Sequence, residues 1–373
     1  MAKTAEVTYA CTCYDFIIEA LFMGMLCVFG FAGNTVSTVV LSRDKSKTAT
    51  PFLLVSLEVA DTLFLMTVFA LRVLTSIQTF GVHVPGLESA IPYLGKYIYP
   101  CALMTETGTI YLTILVTLNR YISVCHPYKA TNLCSVHFAR RHVGLVCLFS
   151  VVFNLPRFFE YEITENPVET MRQTWLYENP VYKVVYRNLF YFVVMFLVPL
   201  ASLTFLNRKL IKALRKTKKR RARLLKQPAL EASNQSMTGT GSGPNNSRSE
   251  DDITLMLIVV VMVFVVTQTP AMVTQVLASC LGQLSLTCPS AFFFYERLSD
   301  LLVVANSSLN FIIYCFCSRR FREILIELVC VRHSITSLRS GAGVTTVHPV
   351  PLNVHNPMAT TPPHAADNEI SNI

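Results

Sequence analysis

The chain reads as an all-α protein: a seven-transmembrane helix bundle followed by a short amphipathic helix on the inner membrane face. Three observations give that class. Of 373 residues, 52% are hydrophobic and only 15% charged, where an ordinary soluble domain carries about 25% charged residues. The mean hydropathy is +0.45. The apolar residues also fall in blocks that suit a hydrocarbon core of roughly 30 Å, which takes about 20 helical residues to cross.

The blocks run Phe16–Leu41, Phe52–Ile77, Tyr97–Cys125, Val143–Phe158, Val184–Leu206, Ile253–Leu281 and Leu298–Phe316. The fourth is the shortest, and the sixth carries no charge. Residues 1–15 form an outer tail, residues 16–330 the seven-span domain, and residues 331–373 a polar, Pro-rich tail expected to be disordered. Within the domain the third inner loop, 208–252, begins as a basic helical extension of span five. It then becomes a Gly/Ser/Asn-rich linker, Ser233–Ser249, also expected to be disordered. In Ser318–Cys330 the apolar Phe321, Ile324, Leu325 and Leu328 recur at helical spacing between Arg319, Arg320 and Arg322. That pattern suits a helix lying on the membrane surface. Cys330 reads either as a palmitoylation site or as an ordinary buried thiol.

Charge sets the orientation, because Lys and Arg of short loops stay cytoplasmic. The first loop holds Arg43, Lys45 and Lys47 against Asp44, the third holds Lys129, Arg140 and Arg141, and the fifth a basic run from Arg208 to Lys226. The N-terminus is therefore outside and the C-terminus cytoplasmic; the plasma membrane is the expected location. Between spans four and five lie Glu160, Glu162, Glu165, Glu169 and Glu178. The net charge of +9 is thus an orientation signal and not a nucleic-acid footprint. The N-terminus lacks the pattern of a cleaved signal peptide, so the first span would act as its own insertion signal.

Most of the 12 cysteines lie in or beside spans, where they pack as small apolar residues. Cys11, Cys13, Cys280 and Cys288 are outside. A Cys280–Cys288 bridge would close a small loop between spans six and seven; the alternative is two free thiols.

Three ionisable residues stand out, because charge inside a membrane is costly and marks function. Arg120, in Asn119-Arg120-Tyr121, sits at the water edge of span three. Asp61 is mid-span and needs a partner or a proton. Glu106 lies about four helical turns from Arg120 and either receives a cationic ligand or pairs with another helix, for example at Arg72. The eight histidines lie in loops and tails, so no catalytic constellation is visible and no enzyme is expected. Neither inverted repeats nor paired broken helices, the marks of a transporter, are seen.

The ordered motifs carry a resemblance. Gly33-Asn34 followed by Val36, Leu57 with Asp61, Asn119-Arg120-Tyr121 before Cys125-His126-Pro127, Pro199, Phe264 with Pro270, Asn306-Ser307-Ser308-Leu309-Asn310 with Tyr314, and Phe321-Arg322 each fall on the expected span. Together they resemble a rhodopsin-like (class A) G-protein-coupled receptor over roughly residues 16–330. The resemblance implies a switch made of Asn119, Arg120, Tyr121, Asn207, Glu250, Phe264, Pro270, Asn310 and Tyr314. It also implies a sodium ion held by Asp61, Thr109, Asn306, Ser307 and Asn310, the alternative being a neutral, hydrogen-bonded Asp61; no other cofactor is implied. Implied partners are an extracellular ligand, a heterotrimeric G protein, arrestin and membrane lipid, with no nucleic acid.

The chain also departs from the family pattern. Asn119 replaces the acid beside the arginine, which implies a looser resting state and leaves Glu250 as the acid that could pair with Arg120. Asn207 replaces a tyrosine of span five. Thr267-Gln268-Thr269-Pro270 replaces Cys-Trp-x-Pro, and the span-four tryptophan is missing, because Trp175 lies in an outer loop. The family cysteine of span three falls at Gly95, and the loop between spans four and five has no cysteine, so that bridge is absent and the loop must be held differently.

Ala102 stands where amine receptors have aspartate, and Val304 where light receptors have lysine. The missing bridge, Gln268 before Pro270-Ala271, Phe205-Leu206-Asn207 and the span-seven motif resemble invertebrate FMRFamide-receptor-like neuropeptide receptors, whose ligands end in Arg-Phe-amide. A cationic ligand needs acids, and Glu106, Glu296 and Asp300 are the candidates, with Ala102 and Gln268 at pocket depth; Arg297 could neutralise one of them. Tyr99, Phe292, Phe293, Phe294 and Tyr295 either contact the ligand's phenyl ring or form a lipid-interface belt.

Overall fold

In the computed structural model the described residues are 2–44, 48–164, 170–226, 244–281 and 288–341. Side chains are described for most but not all of these. The architecture is α-helical, as the composition requires. In order, the spans are α1 (Val7–Ser42), α2 (Ala49–Thr79), α3 (Leu87–Cys125), α4 (Val136–Phe159), α5 (Tyr182–Ala213), α6 (Pro244–Leu281, with its apolar part Ile258–Leu277) and α7. The last is a pair, Ala291–Ser308 and Asn310–Cys317, bent by 48°. Six helices are long and apolar enough to cross a membrane, and the bent pair makes the seventh. A helix α8 (Arg319–Gly341) follows.

The boundaries have local causes. Ser135, Ser290 and Ser318 accept the backbone N–H three residues on, at 3.3, 3.0 and 3.2 Å, and so cap the starts of α4, α7 and α8. The Asn179 side chain accepts from the N–H of Val181 and Tyr182, fixing the start of α5. A π-helical turn, Val193–Leu197, precedes Pro199, where the missing proline N–H removes an ordinary helical bond.

Several expected limits move. The outer tail is helical from Ala2 and runs on into α1. The helix α8 continues past Cys330 to Gly341, so the expected disorder of residues 331–373 does not hold for its first turns. Likewise α6 begins at Pro244, inside the expected linker Ser233–Ser249. The remaining linker and tail residues, Lys45, Lys47, Glu165 and Glu169, and the Glu250 side chain lie outside what is described.

One two-stranded antiparallel sheet joins α4 to α5: β1 (Tyr161–Thr164) and β2 (Thr170–Gln173), with Tyr161 opposite Gln173. It marks the hairpin end of the bundle; the opposite end carries Arg120. The core of the Arg120 end gathers Val40, Leu53, Leu54, Val116, Met256, Val260, Ile313, Tyr314 and Phe321. Ile324, Leu325 and Leu328 pack against it, so the apolar face of α8 lies on the bundle and not only on lipid. Residues such as Met25, Val28, Leu148, Phe205 and Val266 are exposed on the spans, as lipid contact requires.

Candidate functional site

At the Arg120 end, α2 and α7 meet through polar groups. Asn310 Nδ2 donates to Asp61 Oδ2 at 2.7 Å, with Ser307 as a second partner of Asp61. The Tyr314 hydroxyl donates to Glu58 Oε1 at 2.6 Å. Asn34 Nδ2 donates to the Ser307 carbonyl at 3.1 Å, and the Ser308 hydroxyl bonds back to Val304. These bonds sit at the bend of α7. No proline lies there, so the bend is fixed by side chains that take up backbone groups. Close approach of α1 makes this fit: a Cβ at Gly30 would lie 2.9 Å from Ser308 Oγ, and one at Gly33 would lie 2.9 Å from Phe311 Cβ.

Asn119 is turned towards α2. Its side-chain amide donates to Thr50 Oγ1 on α2 at 3.1 Å. Arg120 and Asn207 are buried, while the Tyr121 hydroxyl faces His126 Nε2 at 3.2 Å. Tyr314 therefore meets α2 and not a span-five partner at Asn207. Phe264 is buried among Leu103, Ile110, Tyr191, Met195 and Leu203. Gln268, at the family tryptophan's place, is also buried, and its amide oxygen accepts no hydrogen bond among the described residues. Of the expected sodium ligands, Asp61, Ser307 and Asn310 come together. The Thr109 hydroxyl donates to the Glu106 carbonyl, and Asn306 is half-buried.

The hairpin end is charged. Arg72 of α2 pairs with Glu19 of α1 at 3.2 Å and with Asp300 of α7. Arg297 pairs with Asp15 at 2.9 Å and Glu19 at 3.2 Å, and lies 3.8 Å from Glu296. Arg72 is thus engaged by Glu19 and Asp300, and the alternative Glu106–Arg72 pair does not form. Glu106 is half-buried, has no hydrogen bond or ion pair with the described residues, and lies within electrostatic reach of Asp300 and Tyr191. Tyr99 is half-buried above it and Ala102 is buried.

The expected Cys280–Cys288 bridge is replaced by Cys11–Cys288, across a sequence separation of 277. The N-terminal helix lies on α7, where the Tyr14 hydroxyl donates to the Phe294 carbonyl and the two rings meet edge to face at 4.6 Å. Phe293 is buried under the Arg297 guanidinium, and the Tyr295 hydroxyl donates to the Pro270 carbonyl at 3.4 Å. Of these three aromatics only Phe293 is buried; Phe294 and Tyr295 are half-buried. Cys330 is exposed on α8, which excludes its buried-thiol reading.

The loop between α4 and α5 is held without a cysteine. Glu160 is fully buried, with Arg157 at 3.1 Å, the Tyr182 hydroxyl at 2.9 Å and Arg187 at 3.6 Å. Both arginines lie against tyrosine rings, Arg157 on Tyr186 and Tyr191 and Arg187 on Tyr177. Met171 of β2 covers Gly95, where an added Cβ would lie 2.8 Å from its sulfur. Where the family carries a disulfide, this chain therefore has a side chain laid over a glycine and a buried ion cluster.

The family profile described as "7 transmembrane receptor (rhodopsin family)" matches residues 33–314. The chain belongs to that family. It is a class A G-protein-coupled receptor, and that family is one of receptors, not of enzymes. The chain is 25% identical over 327 residues to the FMRFamide receptor of Drosophila melanogaster, covering 84% of this chain and 54% of that protein. It is 27% identical to an FMRFamide peptide receptor of Caenorhabditis elegans, covering 82% of this chain and 67% of that protein. To the sex peptide receptor of Drosophila melanogaster it is 28% identical, covering 82% and 71%. The chain thus spans about half the length of the first of these relatives.

Sequence reading missed four features of this receptor. Glu58 had a signal, a second acid one helical turn before Asp61 and hence on the same face. Asn154 of α4 donates to Thr107 Oγ1 on α3 at 2.9 Å. The Glu160 cluster and the Cys11 bridge had no local signal.

Proposed function

We propose that this receptor detects an extracellular amidated peptide of the Arg-Phe-amide type and relays it to heterotrimeric G proteins. Its hairpin end faces outward at the plasma membrane, and its C-terminus lies in the cytoplasm. The observation that carries the ligand class is Glu106. It is a carboxylate at pocket depth with no basic partner among the described residues, whereas Asp15, Glu19, Glu296 and Asp300 are each met by Arg72 or Arg297. An unpartnered acid in a poorly hydrated site favours a ligand that brings the cation. Tyr99, about two helical turns away on α3, offers a ring for the ligand's phenyl group. The similarity to two FMRFamide receptors supports the same reading.

Binding would shift a pre-existing equilibrium among α5, α6 and α7, exposing Arg120 and Asn207 to the G protein and then to arrestin. Asp61, Ser307 and Asn310 present a carboxylate, a hydroxyl and an amide, a donor set that fits a hard cation such as sodium; there it would favour the closed arrangement. Cys330 offers an exposed thiol for acylation.

The test is a calcium or cAMP reporter in cells expressing the chain, challenged with a panel of amidated peptides, with Glu106→Gln in parallel. Potent activation by Arg-Phe-amide peptides, weakened at least tenfold by Glu106→Gln, is the expected result. Activation by another peptide would remove the ligand identity and leave the receptor. Silence at confirmed surface expression would point to a non-peptide ligand.

A further inference from the structure

Glu58 is a fully buried acid that none of the switch motifs includes. One of its oxygens accepts from the Tyr314 hydroxyl at 2.6 Å, and the other accepts no hydrogen bond among the described residues. A distance of 2.6 Å is at the short end of the range for a hydroxyl–carboxyl hydrogen bond. Tyr314 is itself fully buried and packs on Phe321 at 5.6 Å. Met256 and Val260 of α6 belong to the same core cluster, and Arg120 is buried. A G protein approaching this end would find both residues covered, so this is the closed arrangement. Asn119, where the family has a restraining acid, is turned to Thr50 on α2.

We propose that Glu58 is the positioning residue that holds Tyr314 in the closed arrangement, and so carries at α2 a restraint that Asn119 does not supply at α3. Moving Tyr314 away leaves a buried acid without its donor, and the pair opposes that departure. The restraint acts on the ligand-free receptor. It rests on membership of the receptor family and not on which peptide binds.

The experiment is surface-normalised basal signalling without added ligand, read with dissociation sensors spanning the Gα classes. Glu58→Met keeps a similar side-chain length and removes the acceptor. It should move the open-to-closed ratio about tenfold towards open, read as raised basal signal. Glu58→Gln keeps an acceptor oxygen and should stay near the wild-type level. In a double-mutant cycle, adding Tyr314→Phe to Glu58→Met should raise the signal no further. A Glu58→Met chain at wild-type surface density with basal signal at or below wild type overturns the proposal, as does a Glu58→Gln chain that rises equally. If Glu58→Met does not reach the surface, Tyr314→Phe decides: a rise supports the restraint, and no rise overturns it. A failed peptide screen leaves this result untouched, because no ligand is added.

Discussion

The two ends of this receptor are held together by different physics. At the hairpin end, buried and half-buried charges pair with one another, all but one pair between separate elements: Glu160 with its neighbour Arg157 and with Arg187, Arg72 with Glu19 and Asp300, and Arg297 with Asp15. A disulfide joins the N-terminal helix to Cys288. At the Arg120 end, an apolar cluster surrounds a few hydrogen bonds among motif residues. The apolar end suits a switch, because a closely packed core has discrete arrangements and deforms little between them.

The sharpest way to break this contrast is Glu160→Ala. It strands Arg157 and Arg187 without their buried carboxylate and should cost about 3–5 kcal/mol, read as a large loss of melting temperature or surface density. Its counterpart at the other end, Asn119→Ala, removes a neutral hydrogen bond and should cost about 1 kcal/mol. Equal effects would show that the two ends do not differ in the way described.

Next comes Cys11→Ser, which should cost about 2–5 kcal/mol and free Cys288 for alkylation, counted by intact mass. Cys280→Ser should leave Cys288 protected. The reverse pattern would restore the pairing read from sequence spacing.

A smaller effect is expected for Gly30→Ala. The added Cβ would run into Leu65 Cδ1 and lie 3.2 Å from the Ser308 backbone, an overpacking that costs about 1–3 kcal/mol. Because it presses on the bend of α7, it should also alter basal signalling at matched surface density. A silent variant would show that the bend can give way.

The smallest effect is expected for Asp44→Asn. It weakens a bond of 3.0 Å to Arg320, whose side chain is 40% exposed, and should change stability by less than about 1 kcal/mol in thermal unfolding. A larger loss would mean that α8 is held by charge more than by Phe321.

Most of the Arg120 end was legible in the sequence. Asp61 and Asn310 are polar residues in apolar runs, and two such groups in one membrane bundle find each other because lipid offers no alternative. Much less of the hairpin end was legible. The charges Glu296, Arg297 and Asp300 made Leu298 look like the start of α7, although the helix begins at Ala291. Their cost is met by Asp15, Glu19 and Arg72, which composition cannot reveal. Glu106 was found from its depth along α3, but whether it had a partner depended on where Arg72 turned.

The sequence by itself determined the number of spans and their order. Those follow from composition and helical period, which are local. Only the tertiary structure decided that Cys11 meets Cys288, that Met171 lies over Gly95, that Glu58 rather than Asn207 meets Tyr314, and that Glu106 stands without a basic partner. Each of these depends on how segments distant in sequence come together, and that is set by packing of the whole bundle and not by any single segment.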